Sequence, residues 1–228
     1  MKNSEKIISS WQSNANAWVA TIDGNEIENR QLATNNAFVE CINRFAPKNI
    51  IDIGCGEGWL CRVLANEGID AVGFDAVPKL IERARELGGA TYSVATYREL
   101  ANMKDLSKNA YNAVVINFAL IDKEDTEMLV AAIPKMLKRN GRLFIQTLHS
   151  FNLGADEKYV SGWKEGSWTG MKQTFVAPYQ WYYRTVGDWV SLITNAGFSI
   201  EEINEPLHPV TKKPLSLLFV LKSTQAIS

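Results

Sequence analysis

The sequence of 228 residues has few cysteines, no excess charge of either sign and no long apolar run. Its three cysteines, Cys41, Cys55 and Cys61, form neither a C-x-x-C pair nor a zinc-binding spacing, which favours reduced structural thiols. With 24 basic and 25 acidic residues the net charge is −1, which predicts no broad electrostatic surface for nucleic acid or an anionic membrane. No apolar stretch reaches the length of a signal peptide core or a membrane span. We therefore expect a cytoplasmic protein with a small-molecule substrate, no nucleic-acid or membrane partner, and a monomeric or homodimeric state.

From Pro47 onward, short apolar segments alternate with amphipathic ones, which is the pattern of a parallel sheet covered by helices on both faces. The predicted strands span residues 49–53, 71–75, 91–95, 112–117 and 142–147. Gly68 follows the first intervening helix and Pro78 opens the second. Asp122 is the predicted N-cap of a helix that ends near Arg139. The pattern predicts five consecutive strand and helix units.

The chain is predicted to close with one helix and an antiparallel strand pair. Residues 185–196 form the helix, with Thr185 as its cap and Gly197 as its stop. The strands at 198–203 and 215–221 come next, and the loop between them suits a hairpin better than a parallel crossover. The predicted sheet therefore ends on an antiparallel edge.

Two regions are predicted: a helical cap segment over residues 1–46 and a ligand-binding α/β domain over residues 47–228. Phe38, Ile42 and Phe45 share one face of a helix in the cap segment. This apolar stripe is predicted to dock on the sheet or to close over the binding pocket.

The turn after the first predicted strand carries three glycines at alternate positions. An apolar strand that includes Asp52 runs into Gly54, Gly56 and Gly58. Glycine adopts positive φ at little cost and lets a ligand approach the backbone closely. Trp59 stands where a dinucleotide fingerprint needs its third glycine, which argues against NAD. The Asp-x-Gly-x-Gly-x-Gly pattern resembles motif I of the class I S-adenosylmethionine (SAM)-dependent methyltransferases.

The resemblance covers roughly residues 47–222 and is closest in style to ubiquinone-biosynthesis and other small-molecule O-methyltransferases. It implies an α/β, Rossmann-like, seven-stranded and mostly parallel sheet with an antiparallel last strand, in three αβα layers. It also implies SAM as methyl donor and an oxygen or nitrogen of a small molecule as acceptor. Two other functions stay open: a non-catalytic protein that binds SAM or a nucleoside, and a nucleotide-dependent oxidoreductase.

The residues after the fourth strand disfavour methylation of DNA bases. Amino-methyltransferases of DNA carry [D/N]-P-P-[Y/F] there, whereas this chain has Asn117-Phe118-Ala119-Leu120. No cysteine comes directly after a proline, as cytosine C5 methylation requires.

Candidate cofactor residues lie ahead of the core and at the ends of the first four strands. Asp75 lies about twenty residues after the first glycine, where a carboxylate can accept both ribose hydroxyls. By the resemblance, Asp52 helps to hold the amino end of SAM, and the glycine turn runs beside its methionine and ribose. Arg30 is either a partner for the SAM carboxylate or a surface arginine, and Thr96 either meets the adenine or caps a short helix. The full predicted set is Arg30, Asp52, Gly54, Cys55, Gly56, Gly58, Asp75, Ala76, Thr96, Tyr97, Asn117, Phe118 and Ala119.

A large share of the aromatic residues falls in an insertion at residues 151–184, which is far longer than an ordinary βα loop. Its position at the carboxyl ends of the strands predicts a substrate lid with an aromatic pocket. A small satellite core over the sheet edge is the alternative, and both can hold together. The predicted substrate-binding residues are Trp163, Trp181, Tyr182, Tyr183, Arg184 and His208.

The sequence has two histidines, His149 at the end of the fifth strand and His208 in the last loop. A histidine can remove a proton near neutral pH, so His149 is a candidate general base, with a structural role as the alternative. No third ligating group accompanies the two histidines, and no metal site is predicted.

Overall fold

A seven-stranded sheet forms the centre of the protein. The computed structural model describes residues 2–104, 106, 111–150 and 157–224. Its strands are β1 (Asn49–Ile53), β2 (Asp70–Asp75), β3 (Thr91–Val94), β4 (Tyr111–Asn117), β5 (Leu137–Leu148), β6 (Gly162–Glu165), β7 (Gln180–Tyr183), β8 (Phe198–Asn204) and β9 (Ser216–Ser223). The sheet order is β3-β2-β1-β4-β5-β9-β8, and β6 and β7 form a separate antiparallel hairpin.

The strand pairing confirms the predicted topology. The first five strands pair in parallel, and β9 runs antiparallel to both of its neighbours, β5 and β8. The order reverses between β1 and β4, because β2 and β3 lie on one side of β1 and the later strands lie on the other. Ligands of open α/β sheets bind at such a point, beyond the carboxyl ends of the strands.

Helices cover both faces of the sheet, as the alternating pattern predicts. The helices are α1 (Asn3–Asp23), α2 (Asn35–Asn43), α3 (Trp59–Asn66), α4 (Pro78–Leu87), α5 (Tyr97–Asn102), α6 (Glu124–Ala132) and α7 (Val186–Asn195). In β4, Val114 and Ile116 belong to the core beneath α5, α6 and α7, whereas Ala113 and Val115 belong to the core beneath α2, α3 and α4. Successive side chains of a strand point to opposite faces, so one strand serves both cores and three layers result.

The apolar stripe of the cap segment docks on the sheet. Phe38 and Ile42 are fully buried in the core beneath α2 and α3. The ring centres of Phe45 and Phe144 lie 5.5 Å apart in an edge-on contact, which joins the end of this segment to β5. The prediction that this stripe docks on the sheet is confirmed.

The predicted end of the helix near Arg139 is wrong. Helix α6 ends at Ala132, a short 3₁₀ turn covers Ile133–Lys135, and β5 already begins at Leu137. Pro134 in that turn has no N–H for a further α-helical hydrogen bond, which stops the helix early. The predicted start of β5 at residue 142 is therefore also wrong. The remaining predicted strands agree with the structure to within about two residues, as expected for element boundaries inferred from sequence.

The described part of the insertion contains the β6–β7 hairpin, which the sequence pattern did not predict. Trp163 pairs with Tyr182, and Gly162 pairs with Tyr183. Residues 151–156 of the predicted insertion lie outside the described residues. Among those that are described, no helix is both long and apolar enough to cross a bilayer.

Candidate active site

A cavity of about 400 Å³ lies at the carboxyl ends of β1, β2 and β4. Its walls are formed by the turns after these strands, by α1 and by the insertion. Most of the predicted site residues line it: Arg30, Gly54, Cys55, Gly56, Asp75, Ala76, Thr96, Tyr97, Asn117, Phe118 and Ala119 from the cofactor set, and Trp181, Tyr182, Tyr183 and Arg184 from the substrate set.

The glycine turn bends through positive φ at Gly54, Gly56 and Gly58, with values of 75°, 58° and 82°. A Cβ on Gly54 would lie 2.3 Å from the Cβ of Ala119, so only glycine lets the turns after β1 and β4 meet. A Cβ on Gly56 would meet nothing within 4 Å, so the backbone there is open to a ligand. Gly58 does not line the cavity. It makes room for the Tyr92 ring, which a Cβ would approach to 2.6 Å.

Asp75 ends β2 and closes the glycine turn from the other side. Its Oδ2 accepts a hydrogen bond from the Gly56 N–H at 3.0 Å, and its Oδ1 accepts one from the Val77 N–H at 2.9 Å. Burial raises the pKa of Asp75 to about 6, although these backbone hydrogen bonds oppose the shift. The carboxylate therefore lies in the cavity wall, held in place by two turns.

Asp52 lies in β1 and does not line the cavity. It is 2% exposed, and the Cys61 thiol donates a long hydrogen bond of 3.5 Å to its Oδ2. Burial raises the pKa of Asp52 to about 7, and the negative charges of Asp75 and Glu57 add to the shift. The structure therefore brings Asp75, but not Asp52, to the cavity surface.

Arg30 begins a π-helical turn, Arg30–Thr34, and lines the cavity. Its guanidinium carbon lies 5.1 Å from the centre of the Trp59 ring, and its Nε donates to Asn35 Oδ1 at 3.3 Å. Burial lowers the pKa of Arg30, and the nearby Glu57 partly opposes this. Within the described ranges no carboxylate forms an ion pair with Arg30, so the charge is available to an anionic ligand. π-helical turns are often found at functional sites.

The turn after β4 is strained and is held by hydrogen bonds on both sides. Phe118 has a φ of 52°, which is unusual for a residue with a bulky side chain. The Tyr97 hydroxyl donates to the carbonyl of Ala119 at 2.6 Å. The side chain of Gln146 donates to Asn117 Oδ1 at 2.7 Å and to the Thr34 carbonyl at 3.2 Å. The sequence pattern gave no signal for Gln146, which joins β4, β5 and the π-helical turn.

Thr96 serves as a helix cap and also lines the cavity. Its Oγ1 accepts a hydrogen bond from the Glu99 N–H at 3.2 Å, while the Glu99 carboxylate accepts from the Thr96 N–H at 2.8 Å. This reciprocal arrangement is the capping box of α5. The capping alternative is thus present in the structure, and the place of Thr96 on the cavity wall is compatible with a ligand contact as well.

Aromatic side chains line a large part of the cavity and are called the aromatic wall below. Trp11 of α1 contacts Trp18 and Trp168 edge-on, with ring centres 5.1 and 5.4 Å apart. Trp168 stacks on Phe175 at 4.1 Å. The aromatic residues on this wall are Trp11, Trp18, Trp168, Tyr179, Trp181, Tyr182, Tyr183 and Trp189. Trp11 and Trp18 were not predicted as site residues, although with Ile7 they repeat at helical spacing along α1.

Arg184 is buried between the insertion and the turn before α6. Its guanidinium donates to the carbonyls of Asp122 and Lys123 at 3.0 and 3.1 Å. It also lies over the rings of Tyr182 and Trp189, at 4.8 and 5.2 Å from their centres. Its hydrogen bonds go to the protein itself, so it anchors the aromatic wall.

Trp163 and the two histidines are not among the residues that line the cavity. The ring centre of Trp163 lies 5.4 Å from that of Tyr182, so it packs behind a lining residue. His149 Nε2 lies 2.6 Å from Glu205 Oε1. His208 Nδ1 accepts hydrogen bonds from the backbone N–H groups of Val210 and Thr211, which fixes the loop between β8 and β9.

These walls fit an adenosyl sulfonium compound. The open backbone at Gly56 and the carboxylate of Asp75 on the cavity wall suit a ribose, and Arg30 suits a carboxylate. SAM supplies an activated methyl group with a good leaving group. The chain's own part is to orient the two reactants and to keep water out.

A family model described as a methyltransferase domain matches residues 27–203. The ubiquinone biosynthesis O-methyltransferase of Bartonella bacilliformis is 25% identical over 187 residues, which cover 79% of this chain and 75% of that protein. An uncharacterised methyltransferase of Schizosaccharomyces pombe is 25% identical, with 75% of this chain and 66% of that protein covered. The ubiquinone biosynthesis O-methyltransferase of Bartonella quintana is 32% identical, but the match spans only 43% of that protein.

Solved structures share the fold at low identity. An S-adenosylmethionine-dependent methyltransferase of Mesorhizobium loti superposes with a TM-score of 0.58 at 22% identity, covering 80% of this chain and 96% of that one. The CcbJ methyltransferase of Streptomyces caelestis gives a TM-score of 0.63 at 14% identity, covering 82% and 88%. With the glycine turn and the matched family model, these likenesses favour methyl transfer over the oxidoreductase and sensor alternatives. The chain belongs to the methyltransferase-domain family and is a class I SAM-dependent methyltransferase.

Proposed function

We propose that this enzyme transfers the methyl group of SAM to an oxygen or nitrogen atom of a small aromatic molecule. One observation carries the proposal: a single cavity joins the glycine turn and Asp75 to the aromatic wall. A donor bound at one end and an acceptor at the other would share a space bounded by the turn after β4. The curated relatives named for ubiquinone biosynthesis are O-methyltransferases, which supports oxygen as the acceptor atom.

Within this proposal the cofactor is held at three places. Asp75 accepts hydrogen bonds from the ribose hydroxyls, the backbone of Gly54 to Gly56 runs beside the methionine portion, and Arg30 pairs with the carboxylate. The half-buried positions of Asp75 and Arg30 on the cavity wall support these roles. In the proposal, Thr96 and Tyr97 contact the adenine, and Asn117 to Ala119 lie beside the methyl group. All of these residues line the cavity, which supports the assignment.

The acceptor is held by the aromatic wall. Large flat side chains from α1 and from the insertion favour a flat apolar body, and they also exclude water. We assign no general base to His149, because it does not line the cavity and its ring is engaged with Glu205. The cavity size and the net charge near zero favour a free small molecule over a nucleic acid. The three buried free cysteines support a reducing compartment such as the cytoplasm.

Titration calorimetry with S-adenosylhomocysteine, the product of the cofactor, tests the donor half of the proposal. We expect the unmodified protein to bind it and Asp75→Ala to bind at least about tenfold more weakly, because a buried charged acceptor of hydrogen bonds is lost. NAD should give no heat. Equal and negligible heat for both proteins with S-adenosylhomocysteine would refute the proposed cofactor site.

Turnover tests the acceptor half. The enzyme is incubated with SAM and a panel of phenols, aromatic amines and non-aromatic alcohols, and released S-adenosylhomocysteine is measured. We expect release above background with at least one aromatic member. Release only with non-aromatic members would contradict the assignment of the aromatic wall to the acceptor.

A further inference from the structure

One polar side chain, that of Asn117, lies in the turn after β4. Asn117 is half-buried and lines the cavity, and the residues that follow it, Phe118-Ala119-Leu120, are apolar. A side-chain amide has an oxygen that accepts hydrogen bonds and a nitrogen that donates them. When a neighbour engages one of these atoms, the other is left for a ligand. The orientation of the Asn117 amide therefore decides which polar groups this turn can bind.

The side chain of Gln146 fixes that orientation. Gln146 pairs with Asn117 across β4 and β5 and is 1% exposed. Its Nε2 donates to the carbonyl of Thr34 at 3.2 Å and to Oδ1 of Asn117 at 2.7 Å. Because a carbonyl oxygen can only accept, the nitrogen of the Gln146 amide must face Thr34. The Asn117 atom that meets the same nitrogen must then be its oxygen, since two amide nitrogens cannot form a hydrogen bond with each other.

The remaining polar groups of Gln146 are also engaged. Its Oε1 accepts a hydrogen bond from the hydroxyl of Ser216 at 3.0 Å, and Ser216 is fully buried. Its backbone carbonyl accepts from the Phe118 N–H at 2.8 Å. Turning the amide over would place Oε1 against the Thr34 carbonyl and leave buried groups without partners, which is costly. Gln146 therefore holds the turn after β4 through both its backbone and its side chain.

The nitrogen of Asn117 is left for a ligand. Within the described part of the chain, Nδ2 of Asn117 has no hydrogen-bond partner, and it keeps accessible surface. The neighbouring carbonyl of Ala119 already accepts from the Tyr97 hydroxyl at 2.6 Å. The turn thus has a donor to offer to the cavity, while the side-chain oxygen that could accept from a ligand is held by Gln146.

We propose that Gln146 is a positioning residue that makes Asn117 a hydrogen-bond donor to the methyl acceptor, so that the site selects a hydroxyl oxygen over an amine nitrogen. A hydroxyl oxygen has two lone pairs, one for the Asn117 N–H and one for the methyl carbon. A neutral amine has a single lone pair, and its N–H groups would face those of Asn117. The acceptor class is therefore a phenolic compound. This inference rests on the proposed function, because it concerns the same cavity.

The donor also favours loss of the hydroxyl proton. A hydrogen bond to the charged form of a group stabilises that form, so the Asn117 N–H lowers the pKa of a phenol bound beside it. In the transfer, an oxygen lone pair forms the new C–O bond, the bond from the methyl carbon to sulfur breaks, and its electron pair stays on sulfur. The phenol proton goes to water.

Phenol and aniline, titrated by NMR near neutral pH into protein saturated with S-adenosylhomocysteine, test the selection. The two probes have similar shapes and are both uncharged, and they differ in O–H against N–H₂. We expect the unmodified protein to bind phenol at least about fivefold more tightly, the worth of one hydrogen bond. Asn117→Asp keeps an oxygen for Gln146 and replaces the free donor by an acceptor, so it should reverse the order. Gln146→Met releases the Asn117 amide and should bring the two affinities close together.

Two matched variants control for charge and for packing. Asn112→Asp places the same charge at the other end of β4, away from the cavity, and should keep the preference for phenol. Ser216→Ala removes one partner of Gln146, but the Thr34 carbonyl still orients the amide, so the preference should stay. Equal affinities in the unmodified protein, binding of neither probe, or an unchanged order in Asn117→Asp would overturn the inference.

Hydrogen exchange of the side-chain amides tests the orientation without any acceptor. We expect the N–H₂ protons of Gln146 to exchange slowly and those of Asn117 to exchange quickly, because the first pair is buried and bonded and the second is free. Slow exchange of both pairs would mean that the Asn117 nitrogen is already engaged, and would overturn the inference. If no form binds S-adenosylhomocysteine, the proposed cofactor site fails, whereas the exchange result stands by itself.

Discussion

At the scale of single residues, two neighbouring strands carry carboxyl groups, Asp52 buried and Asp75 half-buried, and desolvation raises the pKa of each. Asp75 lies on the cavity wall and is held by backbone N–H groups, whereas Asp52 lies behind it with the Cys61 thiol as donor. Such groups lower the stability of the folded state once they ionise. The two acids therefore differ in position: Asp75 lines the cavity, where the proposed function gives it a ligand contact, and Asp52 does not.

The Asp52→Asn substitution is expected to stabilise the ligand-free protein at pH 8. The pKa of Asp52 is raised by burial to about 7, so stability present at low pH is lost as pH rises toward and through this value. Asparagine avoids that loss and keeps an oxygen for Cys61. The expected gain in unfolding free energy is on the order of 2–4 kcal/mol at pH 8 and shrinks by pH 5. Urea denaturation at both pH values checks this, and a gain that does not depend on pH would contradict it.

Arg30→Met is expected to discriminate between ligands with and without a carboxylate. If Arg30 pairs with the carboxylate of the cofactor, the substitution should weaken S-adenosylhomocysteine binding by about tenfold or more, since a buried charge-assisted pair is lost. Binding of 5′-methylthioadenosine, which has no carboxylate, should change little. Arg139→Met, at an exposed position, is the matched control. Calorimetry with both ligands provides the measurement. If the substitution weakens the binding of both ligands equally, Arg30 has only a structural role.

At the scale of elements, a buried side chain of α1 binds the backbone of the insertion, in addition to the contact between Trp11 and Trp168. Asn14 of α1 is 1% exposed. Its Nδ2 donates to the Ala177 carbonyl at 2.7 Å, and its Oδ1 accepts from the Val176 N–H at 2.8 Å. The amide thus completes the backbone hydrogen bonds of a segment that has no strand partner there. This contact positions the aromatic wall.

Asn14→Ala is expected to loosen the insertion without unfolding the sheet. The N–H groups of Val176 and Ala177 lose their acceptor, which costs on the order of 1–3 kcal/mol locally, while the Ala177 carbonyl keeps the Trp168 indole N–H as a donor. Hydrogen exchange at Val176 and Ala177 should accelerate, while exchange in β4 and β5 stays slow. Ser13→Ala, on the exposed side of the same helix, should leave exchange unchanged. If exchange at Val176 is equally fast in all three proteins, Asn14 does not hold the insertion.

At the scale of the whole molecule, cofactor binding, pH and stability are linked. A ligand that binds only the folded state stabilises it, by about 2.7 kcal/mol at a hundredfold excess over its Kd. Burial places the pKa of Asp75 at about 6. Below that value the protonated carboxyl loses acceptor capacity for a ribose. The affinity for the cofactor should therefore depend on pH near neutrality.

The affinity for S-adenosylhomocysteine is expected to be constant above about pH 7 and to fall as pH decreases through about 6, the pKa of Asp75. The stabilisation of the protein by saturating ligand should fall in parallel, because the two are linked. Calorimetry and thermal unfolding from pH 5 to pH 8 measure both. In Asp75→Asn the profile should be flat and weak throughout. If the pH dependence of affinity disappears in Asp52→Asn but not in Asp75→Asn, the titrating group is Asp52 and the prediction is contradicted.

The order of elements and the glycine turn could be predicted because they depend on neighbours in sequence. Alternation of apolar and amphipathic segments places the strands other than β5 to within about two residues, and three glycines after a buried strand mark a turn with positive φ. The early end of α6 was missed, because Pro134 acts through a 3₁₀ turn that leads directly into β5. The β6–β7 hairpin was missed because its two strands are short and far apart in the chain.

Local sequence predicted the fold class and the strand ends that carry Asp75 and the glycines, and the resemblance of the glycine turn to motif I implied the cofactor. The set of residues that share the cavity emerged only from the packed chain. Packing brought Trp11, Trp18 and Asp122 to the walls and left Asp52, Trp163 and His149 off them. Propensity and spacing fix the individual elements, because they act between neighbours in sequence. The placement of α1 against the insertion depends instead on contacts such as Asn14 with Ala177, 163 residues apart, which no local pattern encodes.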